Sequence, residues 1–312
     1  MPELLDDARG GSRAALAQLL SLVERGGEEA RDVGRLTHPI GGTTYTVGLT
    51  GAPGAGKSTL TAGIVRELRA SGDEVAVLAV DPTSPFTGGA ILGDRVRMQD
   101  HALDSGVFIR SMATRGHLGG LALATPEAIR VLDAVGFRWV LVETVGVGQV
   151  EVEVAGAADT TLVVVNPGWG DAVQAAKAGL LEIADVFVVN KADRPGVEDA
   201  TRDLEHMLDL ATLPSDAWRP PILATIASTG SGIDDVIASI SGHREWLGRG
   251  GRLEAKRAAR LCDELVAILS ERVVERVRGL RSGEDFARLQ AAVATREVDP
   301  WTAADELLAR LE

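Results

Sequence analysis

Three short clusters hold residue types that could act on a polyphosphate. The first is Gly51-Ala52-Pro53-Gly54-Ala55-Gly56-Lys57-Ser58-Thr59, where two glycines bracket four residues and lead into a lysine and two hydroxyls. Glycines let backbone N–H groups approach phosphate oxygens without Cβ collisions. Lys57 can then meet the β- and γ-phosphates, and the Ser58 hydroxyl is a hard oxygen ligand for Mg²⁺. The second cluster is acidic. Asp81, Asp94 and Glu143 could each hold Mg²⁺, directly or through water, or orient a nucleophile. Standing alone, each reads more readily as a solvated loop acid or a helix cap. A phosphate loop in the same sheet tips Asp81 and Glu143, and less strongly Asp94, toward function. The third cluster is Asn190-Lys191-Ala192-Asp193. A carboxylate such as Asp193 can accept two hydrogen bonds from guanine N1 and N2, which adenine does not offer. Asn190 would tie the loop to its neighbours, and the Lys191 stem would cover the ring. A site built to pair one polar edge rejects a base that lacks it. Further on, Ile226-Ala227-Ser228 could bring backbone groups to the guanine oxygen, with Ala227 at its centre.

These clusters need a scaffold that brings them to one edge. Short apolar runs at Tyr45–Leu49, Val75–Val80, Val107–Ile109, Trp139–Val142, Leu162–Val165, Val186–Val189 and Ile222–Ile226 alternate with helical stretches. Apolar runs separated by helices read as parallel strands buried on both faces. That is a doubly wound, mostly parallel α/β sheet, whose ligands collect at the carboxyl ends of the strands. The phosphate loop, Asp81, Glu143 and Asn190 all sit at such ends. Before this domain, Leu16, Leu19, Leu20 and Val23 mark a helix that stops at Gly26-Gly27. After Gly248 the strands cease. Leu261, Leu265, Leu269, Val273, Val277 and Leu280 trace one long helix, a break follows at Ser282-Gly283, and Asp299-Pro300 opens another helix. The expected organisation is a helical segment over 1–36, a nucleotide-binding domain over 37–248 and a helical arm over 249–312.

The bulk composition narrows the partners. Of 312 residues, 45% are apolar, and the formal charge is −13, which argues against nucleic acid or an anionic membrane surface. No apolar run approaches the ~18 residues that cross a bilayer. The acidic MPELLDDARG start is unlike a signal peptide, and the single cysteine, Cys262, suits a reducing cytoplasm.

The segments DPTSPFTGGAILGDRVRM, FIRSMATRGHLGGLA, VETVGVGQVEVEVA, NPGWGDAVQAAKAG and VVNKADR together resemble the MeaB/ArgK group of G3E-type P-loop GTPases. The resemblance runs from about Ala14 to the C-terminal DPWTAADELL. It implies a GTPase that turns over slowly alone and serves as chaperone to an adenosylcobalamin-dependent acyl-CoA mutase, chiefly methylmalonyl-CoA mutase. Adenosylcobalamin would then enter only through the partner. The resemblance assigns Lys57 and Ser58 to phosphates and Mg²⁺; Asp81, Asp94 and Glu143 to metal and switch elements; and Asn190, Lys191 and Asp193 to guanine. It also implies a homodimer held by the C-terminal arm, which suits the apolar stripe from Leu261. Asn166 departs from the small or apolar residue expected there.

Two other functions fit parts of this pattern. An ATP-dependent kinase of a lysine/arginine/ornithine transport system would share the phosphate loop, but Asn190-Lys191-x-Asp193 speaks for guanine. A GTPase that delivers a metal would carry His-rich tracts or clustered cysteines, whereas His38, His101, His117, His206 and His243 are widely spaced. The segment Asn166–Gly179 holds Gly168, Gly170 and Gly179, an aromatic Trp169, and the pair Asp171 and Lys177. It is expected to act as an extra switch toward the mutase. Arg95 and Arg97 are candidates for the cation that stabilises charge on the leaving phosphates.

Overall fold

The phosphate-loop sequence is held between a strand that supplies its start and a helix that supplies its end. The structure is a computed structural model that describes residues 1–82, 103–114, 120–144, 150–168, 182–210, 214, 216–280 and 283–309, with backbone alone at 81–82, 113–114, 120–123 and 150–153. Strand β1 (Tyr45–Gly51) is buried along its whole length, and α4 (Lys57–Ala70) starts after a five-residue turn. The other strands are β2 (Val75–Pro82), β3 (Val107–Thr114), β4 (Trp139–Thr144), β5 (Thr160–Val165), β6 (Val186–Asn190) and β7 (Ile222–Thr225). Among the described residues these seven form one sheet in the order β3-β2-β4-β1-β5-β6-β7, with every pairing parallel. The doubly wound expectation holds.

Side-chain alternation assigns each strand residue to a face. Val47, Leu49, Val77, Leu141, Leu162, Val164 and Val188 pack under α4 and α8 (Ile233–Gly248). On the opposite face, Leu78, Val80, Val140 and Val142 meet α5 (Gly120–Val135) and α6 (Val150–Ala157), and Val163, Phe187 and Val189 meet α7 (Val197–Leu210). Both faces are covered, so the strands are apolar throughout rather than alternating. The N-terminal helices α1 (Pro2–Arg9), α2 (Arg13–Arg25) and α3 (Gly27–Thr37) add a further layer against α5.

Two elements run furthest past their apolar runs. Strand β3 continues through Arg110 and Ser111, because Arg110 finds Ser21 and Glu24 on α2 instead of water. Helix α9 runs from Arg252 to Leu280, nine residues ahead of the apolar stripe. Its first turns are basic and bind the base of the sheet: Lys256 Nζ donates to the Asp159 carbonyl at 2.8 Å, and Arg257 grips the Asp159 carboxylate.

The chain divides into two units, Met1–Arg260 and Leu261–Glu312. In the second, α10 (Glu284–Ala294) and α11 (Pro300–Leu308) pack together, with Leu289 and Ala303 buried and an Arg288–Glu306 bridge at 2.5 Å. Asp299 caps α11 by accepting from the Trp301 and Thr302 amides. No helix among the described residues is long and apolar enough to cross a membrane.

Candidate functional site

At the carboxyl end of β1 the chain turns through two positions that leave no room for a side chain. Gly51 has φ 126°, and a Cβ there would stand on the Val164 carbonyl of β5. Gly56 has φ 94°, and its Cβ would fall on the Asn190 amide nitrogen. Only glycine takes these conformations at no steric cost. Pro53 and Gly54 are exposed at the tip, while Ala55 is buried beneath it. No side chain caps the first turn of α4, which opens toward the cradle. Such a turn and helix end form a ready anion site. Thr59 is exposed beside it.

Lys57 is 7% exposed and donates from Nζ to the carbonyls of Gly51 at 2.8 Å and Ala52 at 3.2 Å, folding back along the loop it terminates. Ser58 points the other way. Its hydroxyl donates to Glu143 Oε1 at 2.5 Å, and Thr61 Oγ1 lies 2.9 Å from Glu143 Oε2. Glu143 is 1% exposed at the end of β4, where it lies beside Leu49 of β1 and Ala79 of β2. The sheet therefore carries a buried carboxylate directly to the start of α4. A carboxylate taking a serine proton leaves the serine lone pairs available, and the resulting hard-oxygen set fits Mg²⁺.

The base-side cluster is joined to the phosphate loop. Asn190, 2% exposed at the end of β6, donates Nδ2–H to the Ala55 carbonyl at 2.8 Å. Its Oδ1 accepts from Thr225 Oγ1 at 3.1 Å and from the Ala227 amide at 3.0 Å. One amide thus ties the loop after β1 to the loop after β7, across the end of β5. Lys191 adopts φ 61°, uncommon for a residue with a Cβ, and its Nζ donates to the Gly54 carbonyl at 2.5 Å. Asp193 is exposed on the turn that follows. The turn is held by the Ala192 amide on the Thr225 carbonyl at 3.0 Å.

Of the sequence candidates, Gly51 through Thr59, Glu143, Asn190, Lys191 and Ala227 gather at this edge. Asp81 pairs with Ala113 in the β2–β3 ladder, and its side chain lies outside the described atoms. Asp94, Arg95, Arg97, Trp169, Asp171 and Lys177 lie outside the described residues. Two contributors escaped the sequence reading: Thr61, three residues beyond Ser58 on the same face of α4, and Thr225. Helical spacing could have pointed to Thr61, whereas nothing short of the β6–β7 pairing points to Thr225.

A family profile described as "Methylmalonyl Co-A mutase-associated GTPase MeaB" matches residues 16–282. A putative GTPase of Pyrococcus abyssi is 49% identical over 311 residues, covering 98% of this chain and 95% of the relative. The GTPase ArgK of Escherichia coli is 38% identical, covering 92% of this chain and 88% of its own. Among solved structures, a LAO/AO transport system kinase superposes with a TM-score of 0.74 at 31% identity, over 99% of this chain and 97% of that one.

Proposed function

Because the chain belongs to the family of methylmalonyl-CoA mutase-associated GTPases, we propose that it hydrolyses GTP as chaperone to a B12-dependent acyl-CoA mutase, gating the loading of the mutase's cofactor. Asn190 carries the GTP half of this reading. It locks the phosphate cradle to the turn that bears Asp193, so that phosphates and base are read by one connected frame. In that frame Gly51 to Thr59 wrap the phosphates, and Lys57 exchanges its loop carbonyls for β- and γ-oxygens. Asp193 accepts from guanine, with Lys191 over the ring and Asn190 and Ala227 bracing the loop. Ser58 and Glu143, with Asp81 and Asp94, hold Mg²⁺, which when bound neutralises charge on the phosphates. Hydrolysis then depends on positioning and electrostatics. A chain without a partner-ordered cation is expected to be slow, and Arg97 is our candidate for that cation. Asp171 and Lys177 are assigned to the relay toward the mutase, and the C-terminal helices from residue 249 onward to a homodimer arm in a cytoplasmic protein.

The name of the transport system kinase favours a second reading, ATP-dependent phosphorylation. One assay separates the two. GTP turnover is measured alone, with excess ATP, and with a purified B12-dependent acyl-CoA mutase. The proposal expects slow turnover that ATP does not compete away and that the mutase accelerates. Loss of GTP turnover under excess ATP, or turnover indifferent to the mutase, would refute it.

A further inference from the structure

We propose that Thr61 is a positioning residue for Glu143 and thereby sets the affinity for the divalent cation that accompanies the nucleotide. This rests on the nucleotide-and-cation reading above. Thr61 is wholly buried, one turn into α4, and too deep to touch a nucleotide at the loop. Its hydroxyl oxygen lies 2.9 Å from Glu143 Oε2 and 2.9 Å from the Lys57 carbonyl. One proton faces two acceptors. When Glu143 is charged, its carboxylate draws that proton, because a hydrogen bond to an ionised acceptor is the stronger of the two. If the proton goes to the Lys57 carbonyl instead, oxygen lone pairs confront each other across the Thr61–Glu143 gap.

The two hydroxyls thus hold the carboxylate from both ends, Ser58 on Oε1 and Thr61 on Oε2. That fixes the plane of the carboxylate and keeps Oε1 on the Ser58 proton. The Ser58 lone pairs would then remain available to a divalent cation. Without Thr61, Glu143 Oε2 loses this donor, and the orientation of Oε1 toward Ser58 is held less firmly. Groups one step behind a metal ligand set its affinity in this way. The same three side chains are buried from water, so no solvent molecule readily replaces the lost hydroxyl.

The test compares Thr61→Val, which keeps the shape and removes the hydroxyl, with Thr61→Ser, which restores it. Binding of a fluorescent GDP analogue is titrated at rising Mg²⁺, together with binding in excess EDTA. Thr61→Val should raise the Mg²⁺ concentration for half-maximal tightening about tenfold. Thr61→Ser should stay within about twofold of the parent, and EDTA affinities should be unchanged in all three. In a Glu143→Ala background, Thr61→Val should add nothing. A Val variant with the parent's Mg²⁺ dependence overturns the role of Thr61, as does an equal loss with and without Mg²⁺. Should Thr61→Val not fold, Thr61→Ala makes the same comparison with Thr61→Ser. A parent whose GDP binding ignores Mg²⁺ would remove the cation reading itself, and the proposal with it.

Discussion

Asp193 and Asn190 sit three residues apart, yet their environments assign them different work. Asn190 is buried with both ends of its amide engaged, so it is part of the frame; Asp193 is exposed and can reach a ligand. Replacing Asp193 should therefore alter recognition without unfolding the loop. Asp193→Asn is expected to weaken GTP by about 1–3 kcal/mol, the usual cost of leaving a polar pair unmatched. It should favour xanthosine nucleotides, whose C2 oxygen needs a donor. Equal GTP affinity in equilibrium titrations of the variant and the parent would show that another group reads the base. The residues that could be found in the sequence are those whose type is itself the chemistry: Gly51 and Gly56 for their backbones, Lys57 for its charge, Ser58 for its hydroxyl after the lysine. Thr61 and Thr225 were not legible. A threonine in a helix or strand is ordinary filler until the fold lays a carboxylate or an amide against it.

Strands announced themselves through unbroken apolar runs, since both faces of the sheet are covered. What the runs did not reveal is how the other end of the sheet is closed. At the base of β1, β5 and β6, Asp159 is fully buried and receives Arg257 in two hydrogen bonds of 3.1 and 2.6 Å, Arg260, and the Thr46 amide at 3.1 Å. These partners come from residues some hundred positions away, which no local pattern encodes. Beside them runs a chain from Tyr45 through Thr160 and His243 to Asp185, with contacts of 2.6, 2.9 and 3.3 Å. Burial pushes the Tyr45 phenol up to about 12 and pulls His243 below its ordinary value, so the neutral imidazole accepts at Nδ1 and donates at Nε2. Trp218 and Trp246 pack against the same histidine, and Lys256 pairs with Asp185 at 3.3 Å. Burial alone would raise the Asp159 carboxyl, but the Arg257 hydrogen bonds and the Arg260 charge outweigh it and hold the group below the usual range. Both lowered groups act in the same direction. Stability from Asp159 is complete above its unfolded value near ~4 and is lost as pH falls through the depressed folded value; that from His243 is complete above ~6.5 and falls away below it. Thermal melts should show Tm falling in two stages on acidification. Asp159→Asn should cost roughly 3–5 kcal/mol at neutral pH by stranding two arginines. It should also abolish the lower stage and leave the upper one. A variant as stable as the parent would mean that the clamp contributes nothing net.

At the scale of the whole molecule, half of the large apolar side chains exposed among the described residues lie along one helix. Leu261, Leu265, Val266, Leu269, Val273 and Val277 of α9 are between 37% and 61% exposed in a chain carrying thirteen net negative charges. Five of them recur every fourth residue. Each such step overshoots a helical turn by about 40°, so from Leu261 to Val277 the stripe winds by about 160° around the axis. A coiled-coil seam needs a repeat near 3.5 and would stay in line. A winding i, i+4 ridge instead suits two helices that cross with ridges interleaved, at an angle near −50°. A second copy presenting the same ridge satisfies this geometry by two-fold symmetry. Burying the remaining area of both ridges contributes on the order of 10 kcal/mol before the cost of association. Cutting the chain near Gly250 is the wrong test, because it would also strip Arg257 and Arg260 from Asp159. Leu269→Glu in the full chain leaves that clamp intact and places a charge at the middle of the ridge, where an unpaired buried carboxylate costs several kcal/mol. Sedimentation velocity should find the parent dimeric and Leu269→Glu monomeric at micromolar concentration, with equal GTP affinity. Cys262, exposed one residue into the ridge, supplies an independent check. Crossing at a steep angle near Leu269 carries the two Cys262 thiols apart, so mild oxidation should give no rapid disulfide dimer. A parallel zipper would bring them together, and fast, quantitative cross-linking would overturn the crossed arrangement.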